Sequence, residues 1–217
     1  KDPKGNKLPE REVEINSMET TFEYSVEDAM LWDEFTPNIY EATATLEVGN
    51  MTDSKSETFG MRKLTNKEAL LQINDRRLFL RGTLECCIFP LKGYPPTDNA
   101  GWEKVFNAAR NYGLNHIRFH SWCPPEAAFD VADKMGFYLQ IELPLWALNV
   151  GEDPKTVDFL YDEAKRIMKE YGNHPSFCFW SLGNELQGDF SVMDKLLTTI
   201  KQEDKRHLYM TTTFTFE

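Results

Sequence analysis

From residue 74 onward, short apolar stretches alternate with amphipathic ones, and this alternation is the feature that most constrains the fold. The apolar stretches, which we interpret as β-strands, are RLFLRGT, LNHIRFH, FYLQIEL, SFCFWSL and LYMTTTF. Between them, apolar residues recur every three or four positions, as they do on the buried face of a helix. Strands and helices in alternation predict a parallel sheet with crossover helices, which is either a closed barrel or an open doubly wound sheet.

The predicted helices carry clear start and stop signals. Thr97 or Asp98 is suited to cap the first helix, and Gly113 to end it. A second helix is predicted to begin at Pro125 and to stop at Gly136, and a third to begin at the Asp153-Pro154 pair. The predicted apolar faces are Trp102, Val105, Phe106, Ala109 and Tyr112 in the first helix, Phe129, Ala132 and Met135 in the second, Val157, Tyr161, Ala164, Met168 and Tyr171 in the third, and Met193, Leu196, Leu197 and Ile200 in the fourth.

Polar side chains collect where the predicted strands end. They are Glu85, Arg118, His120, Glu142, Asn184 and Glu185. No GxGxxG or GxxxxGK[ST] motif follows a strand, which disfavours a nucleotide-binding open sheet. In a (β/α)8 TIM barrel the C-terminal ends of all strands meet at one mouth, where catalytic groups lie. We therefore predict that residues 67–217 form the N-terminal half of such a barrel, about strands 1 to 5.

The region before the barrel has a different pattern. Residues 12–64 contain the stretches EVEINSMETTFEYS, NIYEATATLEV and SETFGMRKL, which we interpret as strands separated by the turn formers Thr36-Pro37-Asn38 and Gly49-Asn50. Residues 1–66 are therefore predicted to be a partial immunoglobulin-like β-sandwich, incomplete at its N-terminus because a seven-stranded sandwich needs roughly 100 residues.

Charge and cysteine content narrow the range of partners. The formal net charge of −11 argues against nucleic acid and anionic membranes, and is compatible with a neutral ligand such as a sugar. The four cysteines have no CxxC spacing and do not indicate a disulfide framework. A zinc site built from His116, His120 and Cys123 would lack an evident fourth ligand, so we predict neither a metal nor a cofactor. No apolar run approaches the ~20 residues that cross a bilayer.

The segment WSLGNEL, residues 180–186, places an amide and a carboxylate after a buried strand. Surrounding apolar groups such as Trp180 would favour the protonated form of Glu185, which would let it deliver a proton to a leaving oxygen. Asn184 is suited to donate a hydrogen bond to a sugar hydroxyl or to a developing anion. The alternative interpretation is that Asn184 and Glu185 only cap the following helix.

The other polar residues at the strand ends have two interpretations each. Arg118 and His120 either contact the substrate directly or support residues that do. Glu142 is a candidate metal ligand, a candidate acceptor for the substrate, or the ion-pair partner of Arg118.

Two tryptophans and one glutamate complete the set of candidate substrate-binding residues. Trp122 and Trp146 follow the second and third barrel strands, where each would either stack on a sugar or pack in the core or rim. Glu85 follows the first strand, and its role is the least defined of the group.

Several motifs, in this order, resemble glycoside hydrolase family 2, the family of β-galactosidases, β-glucuronidases and β-mannosidases. LWDEFTPNIYEATATL resembles a stretch of its immunoglobulin-like domain, and FGMRKL resembles the segment that leads into its barrel. NHIRFH and FDVADKMGFYLQIELP resemble its second and third barrel strands, and WSLGNE resembles its acid/base segment. The resemblance covers about residues 28–188.

The resemblance implies a retaining exo-glycosidase that hydrolyses O-glycosidic bonds in oligosaccharides or polysaccharides. It makes Glu185 the general acid/base and places Asn184 against the sugar. Retention also requires a nucleophilic carboxylate about 5 Å away. In the family it lies on the seventh strand, beyond the strands predicted here, so we assign no nucleophile, not even Glu217. The 217 residues alone are therefore expected to be inactive.

The chain departs from the family pattern at two places. Ser121-Trp122-Cys123 stands where many members have His-Tyr-Pro, and TLECCIFP stands where many have Asn-Arg-His-Glu after the first strand. These positions shape the sugar pocket and, in some members, metal sites, so neither a sugar nor a metal is carried over.

Two other functions remain open alongside the enzyme. One is a non-catalytic carbohydrate-binding protein, and the other is a half-barrel that self-associates through its open edges. A role in polysaccharide degradation would favour the periplasm or the exterior over the cytoplasm.

Overall fold

The computed structural model describes residues 1–212, and it contains two regions of different architecture. Residues 40–77 form two small antiparallel sheets, and residues 82–210 form a parallel α/β sheet. Glu217, which was considered as a nucleophile above, lies outside the described residues. None of the helices within residues 1–212 is long and apolar enough to span a membrane.

The parallel sheet has five strands. They are β6 (Gly82–Glu85), β7 (His116–Phe119), β8 (Tyr138–Glu142), β9 (Phe177–Ser181) and β10 (Leu208–Met210). Their order in the sheet is β10-β9-β8-β7-β6, so each strand lies beside its successor in sequence. Four helices connect them: α1 (Asn99–Asn111), α2 (Glu126–Met135), α3 (Pro154–Tyr171) and α4 (Phe190–Glu203). This sequential parallel order confirms the predicted partial TIM barrel.

The helix boundaries follow the capping signals. Asp98 caps α1 by accepting a hydrogen bond from the Gly101 amide, and Asp153 caps α3 ahead of Pro154. Gly136, at φ +72°, ends α2 in the left-handed conformation that glycine adopts at low cost.

The buried faces agree with the predicted periodicity only in part. In α1 the buried residues are Trp102, Phe106 and Ala109, while Tyr112 at its C-terminus is 85% exposed. In α3 the fully buried residues are Leu160, Ala164 and Ile167, so the predicted face was rotated by about one position. The predicted residues Tyr161, Met168 and Tyr171 are half-buried at the edge of this face.

The region before the barrel differs from its prediction at three points. β1 (Tyr40–Val48) and β2 (Met51–Phe59) pair as a hairpin, and the predicted turn at Gly49-Asn50 lies between them. The stretch over residues 12–25 forms no strand, and its apolar side chains are exposed, because alternation creates a strand only where a partner strand pairs with it. The predicted strand over residues 56–64 is divided between β2 and β3 (Leu64–Lys67).

The third difference lies at the entrance to the barrel. β4 (Leu70–Ile73) and β5 (Arg76–Arg77) complete a three-stranded sheet with β3. The predicted strand RLFLRGT, residues 77–83, is therefore split between the end of β5 and the start of β6.

Side chains from residues 32–62 join this N-terminal region to the base of the barrel. Trp32 donates its indole N–H to the Asp133 carbonyl at 2.8 Å and meets the Tyr138 ring edge-on at 5.6 Å. The Arg62 guanidinium donates to the carbonyls of Pro175, Phe177 and Arg206. These contacts lie at the N-terminal ends of the parallel strands, so they leave the opposite, C-terminal end of the sheet free for a site.

Candidate active site

Strand register decides which side chains face the interior of the partial barrel. Arg118 of β7 is in register with Gln140 of β8, and Glu142 of β8 with Ser181 of β9. Residues in register on neighbouring parallel strands point to the same face of a sheet. These four residues therefore share one face near the C-terminal ends of the strands, which we call the inner face.

A buried ion pair lies at the centre of this inner face. The Arg118 Nε donates to Glu142 Oε1 at 2.6 Å, and Glu142 is fully buried. Gln140 Nε2 donates to the same oxygen at 3.2 Å, and the Ser121 amide donates to Oε2 at 2.7 Å. A buried carboxylate is stable only when its charge is paired and its oxygens accept hydrogen bonds, and both conditions are met here. Of the roles considered for Glu142, the structure shows the ion pair with Arg118.

The same guanidinium holds the first residue of the Asn184-Glu185 pair. Arg118 Nη2 donates to the side-chain Oδ1 of Asn184 at 2.8 Å, and the backbone N–H of Asn184 donates to the Leu145 carbonyl at 3.0 Å. Gly183 precedes them at φ +150°, where a Cβ atom would lie 2.1 Å from the Leu145 carbonyl oxygen. Glycine is thus required for the close approach that brings Asn184 to Arg118.

Glu185 has a backbone conformation that is uncommon for a residue with a side chain. Its φ is +48°, in the left-handed region, which costs roughly 1–3 kcal/mol for a non-glycine residue. Its amide donates to Thr212 Oγ1 at 3.1 Å, and its carboxylate Oε2 accepts the indole N–H of Trp146 at 3.1 Å. Strained backbones of this kind concentrate at functional sites.

The helix-capping alternative is excluded by the structure. The N-cap of α4 is Asp189, whose side chain accepts hydrogen bonds from the amides of Ser191 and Val192. Asn184 and Glu185 lie before this cap and make other contacts.

His120 and Trp146 form an aromatic wall beside Glu185. Their ring centroids are 5.0 Å apart and the planes are nearly perpendicular. Trp146 is 62% exposed, so much of the residue remains accessible to solvent. An exposed indole next to a carboxylate is a suitable surface for the apolar face of a sugar ring.

Two other predicted residues do not join this group. Trp122 is half-buried against Trp102 and Phe119, and its indole donates to the Glu85 carbonyl at 3.2 Å, so it packs between the strands and α1. Glu85 is in register with Phe119, which faces the helices, and Leu84 takes the inner-face position beside Arg118.

The carboxylate of Glu85 has a local partner instead. Both of its oxygens lie 3.1 Å from the Cys87 amide, and burial raises the pKa of Glu85 above its usual value. The prediction that Glu85 lies at the mouth with the other polar residues was therefore wrong. Successive side chains of a strand point to opposite faces of the sheet, and Glu85 is one position beyond the inner-face residue Leu84.

Trp180 is likewise not part of the surroundings of Glu185. It lies in the helix-facing core, where its ring contacts Phe177, His207 and Tyr209. The aromatic residue that contacts the Glu185 carboxylate is Trp146.

The structure adds three residues that the sequence did not single out. Gln140 lies two positions before Glu142, and strand periodicity alone was enough to place both on one face. Ser121 contributes only its backbone amide, at φ +59°, and Thr212 contributes a hydroxyl from the residue that follows the fifth barrel strand by two positions. No side-chain pattern in the sequence marks these last two roles.

The residues considered above as metal ligands do not come together in a metal site. Within residues 1–212, no three His, Cys, Asp or Glu side chains lie where they could hold a metal ion together. His116 Nδ1 lies 2.8 Å from the Tyr138 carbonyl, and the Cys123 thiol lies 3.6 Å from the Pro124 carbonyl. The described cysteines are free thiols.

Comparison with known families identifies this arrangement. Residues 64–212 match the sequence pattern described as "Glycosyl hydrolases family 2, TIM barrel domain", and residues 1–62 match the one described as "Glycosyl hydrolases family 2". The chain belongs to glycoside hydrolase family 2. The resemblance inferred from the motifs is thereby confirmed, as is the fold class of a sandwich-like segment followed by a partial TIM barrel.

Curated relatives of this family 2 chain include two bacterial β-galactosidases. The protein from Leuconostoc mesenteroides is 25% identical over 177 residues, which are 78% of this chain and 17% of that protein. The protein from Oenococcus oeni is 27% identical over 192 residues, which are 84% of this chain and 18% of that protein. The chain thus spans less than a fifth of the length of these relatives.

Solved structures of the same fold include β-glucuronidases. Bacteroides uniformis β-glucuronidase 3 superposes with a TM-score of 0.81 and 22% identity, over 97% of this chain and 28% of that one. Parabacteroides merdae β-glucuronidase superposes with a TM-score of 0.78 and 22% identity, over 86% of this chain and 24% of that one. At this identity the likeness establishes the shared fold.

Proposed function

We propose that this chain carries the acid/base half of the active site of a retaining exo-glycosidase, with Glu185 as the general acid/base. The observation that carries the proposal is the position of Glu185 at the C-terminal end of β9. There its carboxylate is bound by Trp146, next to the buried network of Arg118, Glu142 and Asn184. In TIM-barrel enzymes this end of the strands holds the catalytic groups.

Glu185 has the features that proton transfer to a leaving oxygen requires. A general acid must present its carboxyl group to the substrate from a fixed position. Only one described hydrogen bond engages the Glu185 carboxylate, and no described cation pairs with it. It is therefore held in place and still able to exchange a proton with a bound substrate.

Asn184 is proposed to bind the sugar beside the bond that is cleaved. Its Oδ1 is occupied by Arg118, and this fixes which end of the amide faces the guanidinium. No group among residues 1–212 accepts a hydrogen bond from its Nδ2. The amide N–H groups are thus available for a sugar hydroxyl.

The proposal gives two different roles to the remaining residues of the site, which are Arg118, His120, Glu142 and Trp146. Trp146 and His120 offer an aromatic surface to the sugar, while Arg118 and Glu142 fix Asn184 from below.

Glu142 is unsuited to nucleophilic attack because three donors already bind its two oxygens. We therefore assign no nucleophile within the described residues, and expect the 217 residues alone to show no turnover, since retention needs two carboxylates.

The substrate class follows the relatives only in general terms. β-Galactosidases and β-glucuronidases both remove a terminal sugar, and their sugars differ in charge. We propose a carbohydrate substrate with an O-glycosidic bond, and leave the sugar to be determined by a substrate panel.

The test uses the whole natural protein that contains these residues. It is assayed against a panel of phenyl β-glycosides of different sugars, because phenol needs a proton in order to depart, and the Glu185→Gln variant is then assayed on the best substrate. We expect kcat/KM to fall about 10²- to 10⁴-fold, the usual contribution of general acid–base catalysis. The matched control is Glu152→Gln, an exposed glutamate in the loop after β8, which should keep wild-type activity.

Two results would contradict the proposal. One is a Glu185→Gln variant within threefold of wild type. The other is a first-formed sugar product of inverted anomeric configuration, read by proton NMR, which would exclude a retaining mechanism. Sugar binding that survives in Glu185→Gln, without turnover in either protein, would favour the non-catalytic binding alternative.

A further inference from the structure

We propose that Thr212 and Trp146 are positioning residues that hold Glu185 for proton transfer, Thr212 through the backbone and Trp146 through the carboxylate. This inference rests on the proposed role of Glu185. It assigns to Thr212 a function that nothing in the sequence pattern indicates, and to Trp146 a second function besides contact with sugar.

Thr212 connects the two ends of a strained turn. Its hydroxyl donates to the Gly183 carbonyl at 2.7 Å, and its Oγ1 accepts the Glu185 amide at 3.1 Å. A hydroxyl is the smallest side-chain group that can donate and accept at once. One side chain from beyond β10 thus bridges both residues that flank Asn184.

The backbone of Glu185 explains why such a bridge is needed. Glu185 lies at φ +48°, a conformation that a residue with a Cβ adopts rarely and keeps only when its surroundings impose it. A residue free of these bonds would relax to the extended or right-handed region, which would redirect its side chain. The bond from the Glu185 amide to Thr212 opposes that relaxation.

Further backbone bonds fix the same turn. The Leu186 amide donates to the Thr212 carbonyl at 3.3 Å, and the Leu182 amide donates to the Met210 carbonyl at 3.3 Å. These bonds survive any side-chain substitution at position 212. Removal of the Thr212 hydroxyl is therefore expected to release Glu185 locally while the two strands remain joined.

Trp146 acts on the other end of the Glu185 side chain. Its indole N–H donates to Oε2 at 3.1 Å, and its ring packs nearly perpendicular to that of His120 at a centroid distance of 5.0 Å. The carbonyl of Leu145, the residue before Trp146, accepts a hydrogen bond from the backbone N–H of Asn184. The loop after β8 thus contacts both polar residues of the turn. Backbone and carboxylate of Glu185 are held from opposite neighbouring strands.

Two pairs of variants separate this role from others. Thr212→Val removes the hydroxyl and keeps the shape, and Thr212→Ser keeps the hydroxyl. Trp146→Phe removes the indole N–H and keeps an aromatic face, whereas Trp146→Ala removes both. Each variant is made in the whole natural protein, and its thermal unfolding is recorded to establish that it folds.

The readout is the dependence of the rate on the leaving group. Departure of phenol requires a proton from the general acid, whereas departure of dinitrophenolate does not, because it is a much weaker base. We expect Thr212→Val and Trp146→Phe to lower kcat for the phenyl glycoside at least tenfold. The fall in the rate constant of the first step should be at least fivefold smaller on the dinitrophenyl glycoside than on the phenyl glycoside, and Thr212→Ser should stay close to wild type on both.

The possible results distinguish the positioning role of Thr212 and Trp146 from the proposed role of Glu185. Equal losses on both substrates would overturn the positioning role, since a general disturbance of the pocket is indifferent to the leaving group. Wild-type rates in Thr212→Val and Trp146→Phe, with a strongly impaired Glu185→Gln, would overturn this inference and leave the role of Glu185 intact. Wild-type rates in Glu185→Gln would overturn the proposed function itself.

Discussion

Glu142 is the residue on which the polar network of the inner face depends. It is fully buried, and its charge is compensated by the Arg118 guanidinium, with further bonds from Gln140 and the Ser121 amide. Arg118 also binds Asn184, so one guanidinium connects the buried charge to the surface of the site. This explains how an asparagine at the mouth is held in one orientation.

Loss of the Arg118 charge is therefore expected to be costly for stability. Arg118→Met leaves the Glu142 carboxylate buried and unpaired, and we expect a loss of about 3 kcal/mol or more in the free energy of unfolding. Urea denaturation followed by tryptophan fluorescence measures this. The double variant Arg118→Met, Glu142→Gln should recover part of the loss, because it removes the stranded charge.

A surface ion pair provides the matched control. Arg166→Met breaks the pair with Glu163, in which Arg166 is largely exposed, and should cost no more than about 1 kcal/mol. Equal effects of Arg118→Met and Arg166→Met would show that the Glu142 carboxylate does not depend on Arg118.

Two histidines, His116 and His174, are expected to have opposite effects on the pH dependence of stability. His116 links β7 to the Tyr138 carbonyl of β8, and burial lowers the pKa of His116 to about 4. The unfolded chain, with a histidine pKa of about 6.5, then binds a proton between pH 6.5 and 4 that the folded chain does not bind. Stability therefore falls as pH falls through this window, by about 3 kcal/mol at most.

The His116→Gln variant tests this dependence. Its free energy of unfolding is expected to be lower than that of wild type at pH 7, because the imidazole packing is lost. It should also fall less steeply than wild type between pH 6.5 and 4. Parallel curves for the two proteins would show that His116 does not titrate in this way.

His174 is expected to show the opposite sign. Burial opposes its protonation, but its 2.7 Å hydrogen bond to Asp133 and the charge of that carboxylate outweigh burial and raise the pKa of His174. The stabilisation is fully present below pH 6.5 and is lost as pH rises through the raised pKa. The difference between wild type and His174→Gln should accordingly be larger at pH 6 than at pH 8.5, and a constant difference would contradict this.

The helices and strands of the barrel were predictable because their signals are local. Asp98, Asp153 and Gly136 fix helix ends through contacts within a few residues, and these boundaries were predicted correctly. The stretch over residues 12–25 was not, because strand formation depends on a partner that no local pattern specifies.

The candidate site was predictable to the same degree. Arg118, Glu142 and Asn184 converge because they lie at or just beyond the C-terminal ends of neighbouring parallel strands, which the sequence pattern indicates. Glu85 was misplaced because the sequence does not fix the last inward-facing position of a strand. Thr212 was missed because its role comes from the path of the turn before it, which only the three-dimensional structure shows.

The open sheet has consequences for the whole molecule. β6 and β10 lie at its two ends, and no strand within residues 1–212 pairs with their outer sides. Leu84 and Ile88 at the β6 end are 53% and 73% exposed. Unpaired edges with exposed apolar residues promote association between chains.

We therefore expect the purified 217-residue polypeptide to self-associate at micromolar concentrations, as measured by light scattering. Leu84→Lys and Ile88→Lys should each shift the population towards monomer, because a charged residue is costly to bury at an edge. Tyr112→Lys is the control, since Tyr112 is also exposed, at 85%, but lies at the end of α1 rather than on an edge strand. A wild-type polypeptide that is monomeric across this range would contradict the expectation.

The central claim is that Glu185 transfers the proton during glycoside cleavage, and azide rescue tests it most directly. In Glu185→Ala of the whole natural protein, a dinitrophenyl glycoside still forms the glycosyl-enzyme, but water then lacks its base. Azide is small and needs no base, so we predict that it raises the turnover of this variant at least tenfold and yields a glycosyl azide of retained anomeric configuration. No effect of azide, or a glycosyl azide of inverted configuration, would contradict the role of Glu185 as the general acid/base.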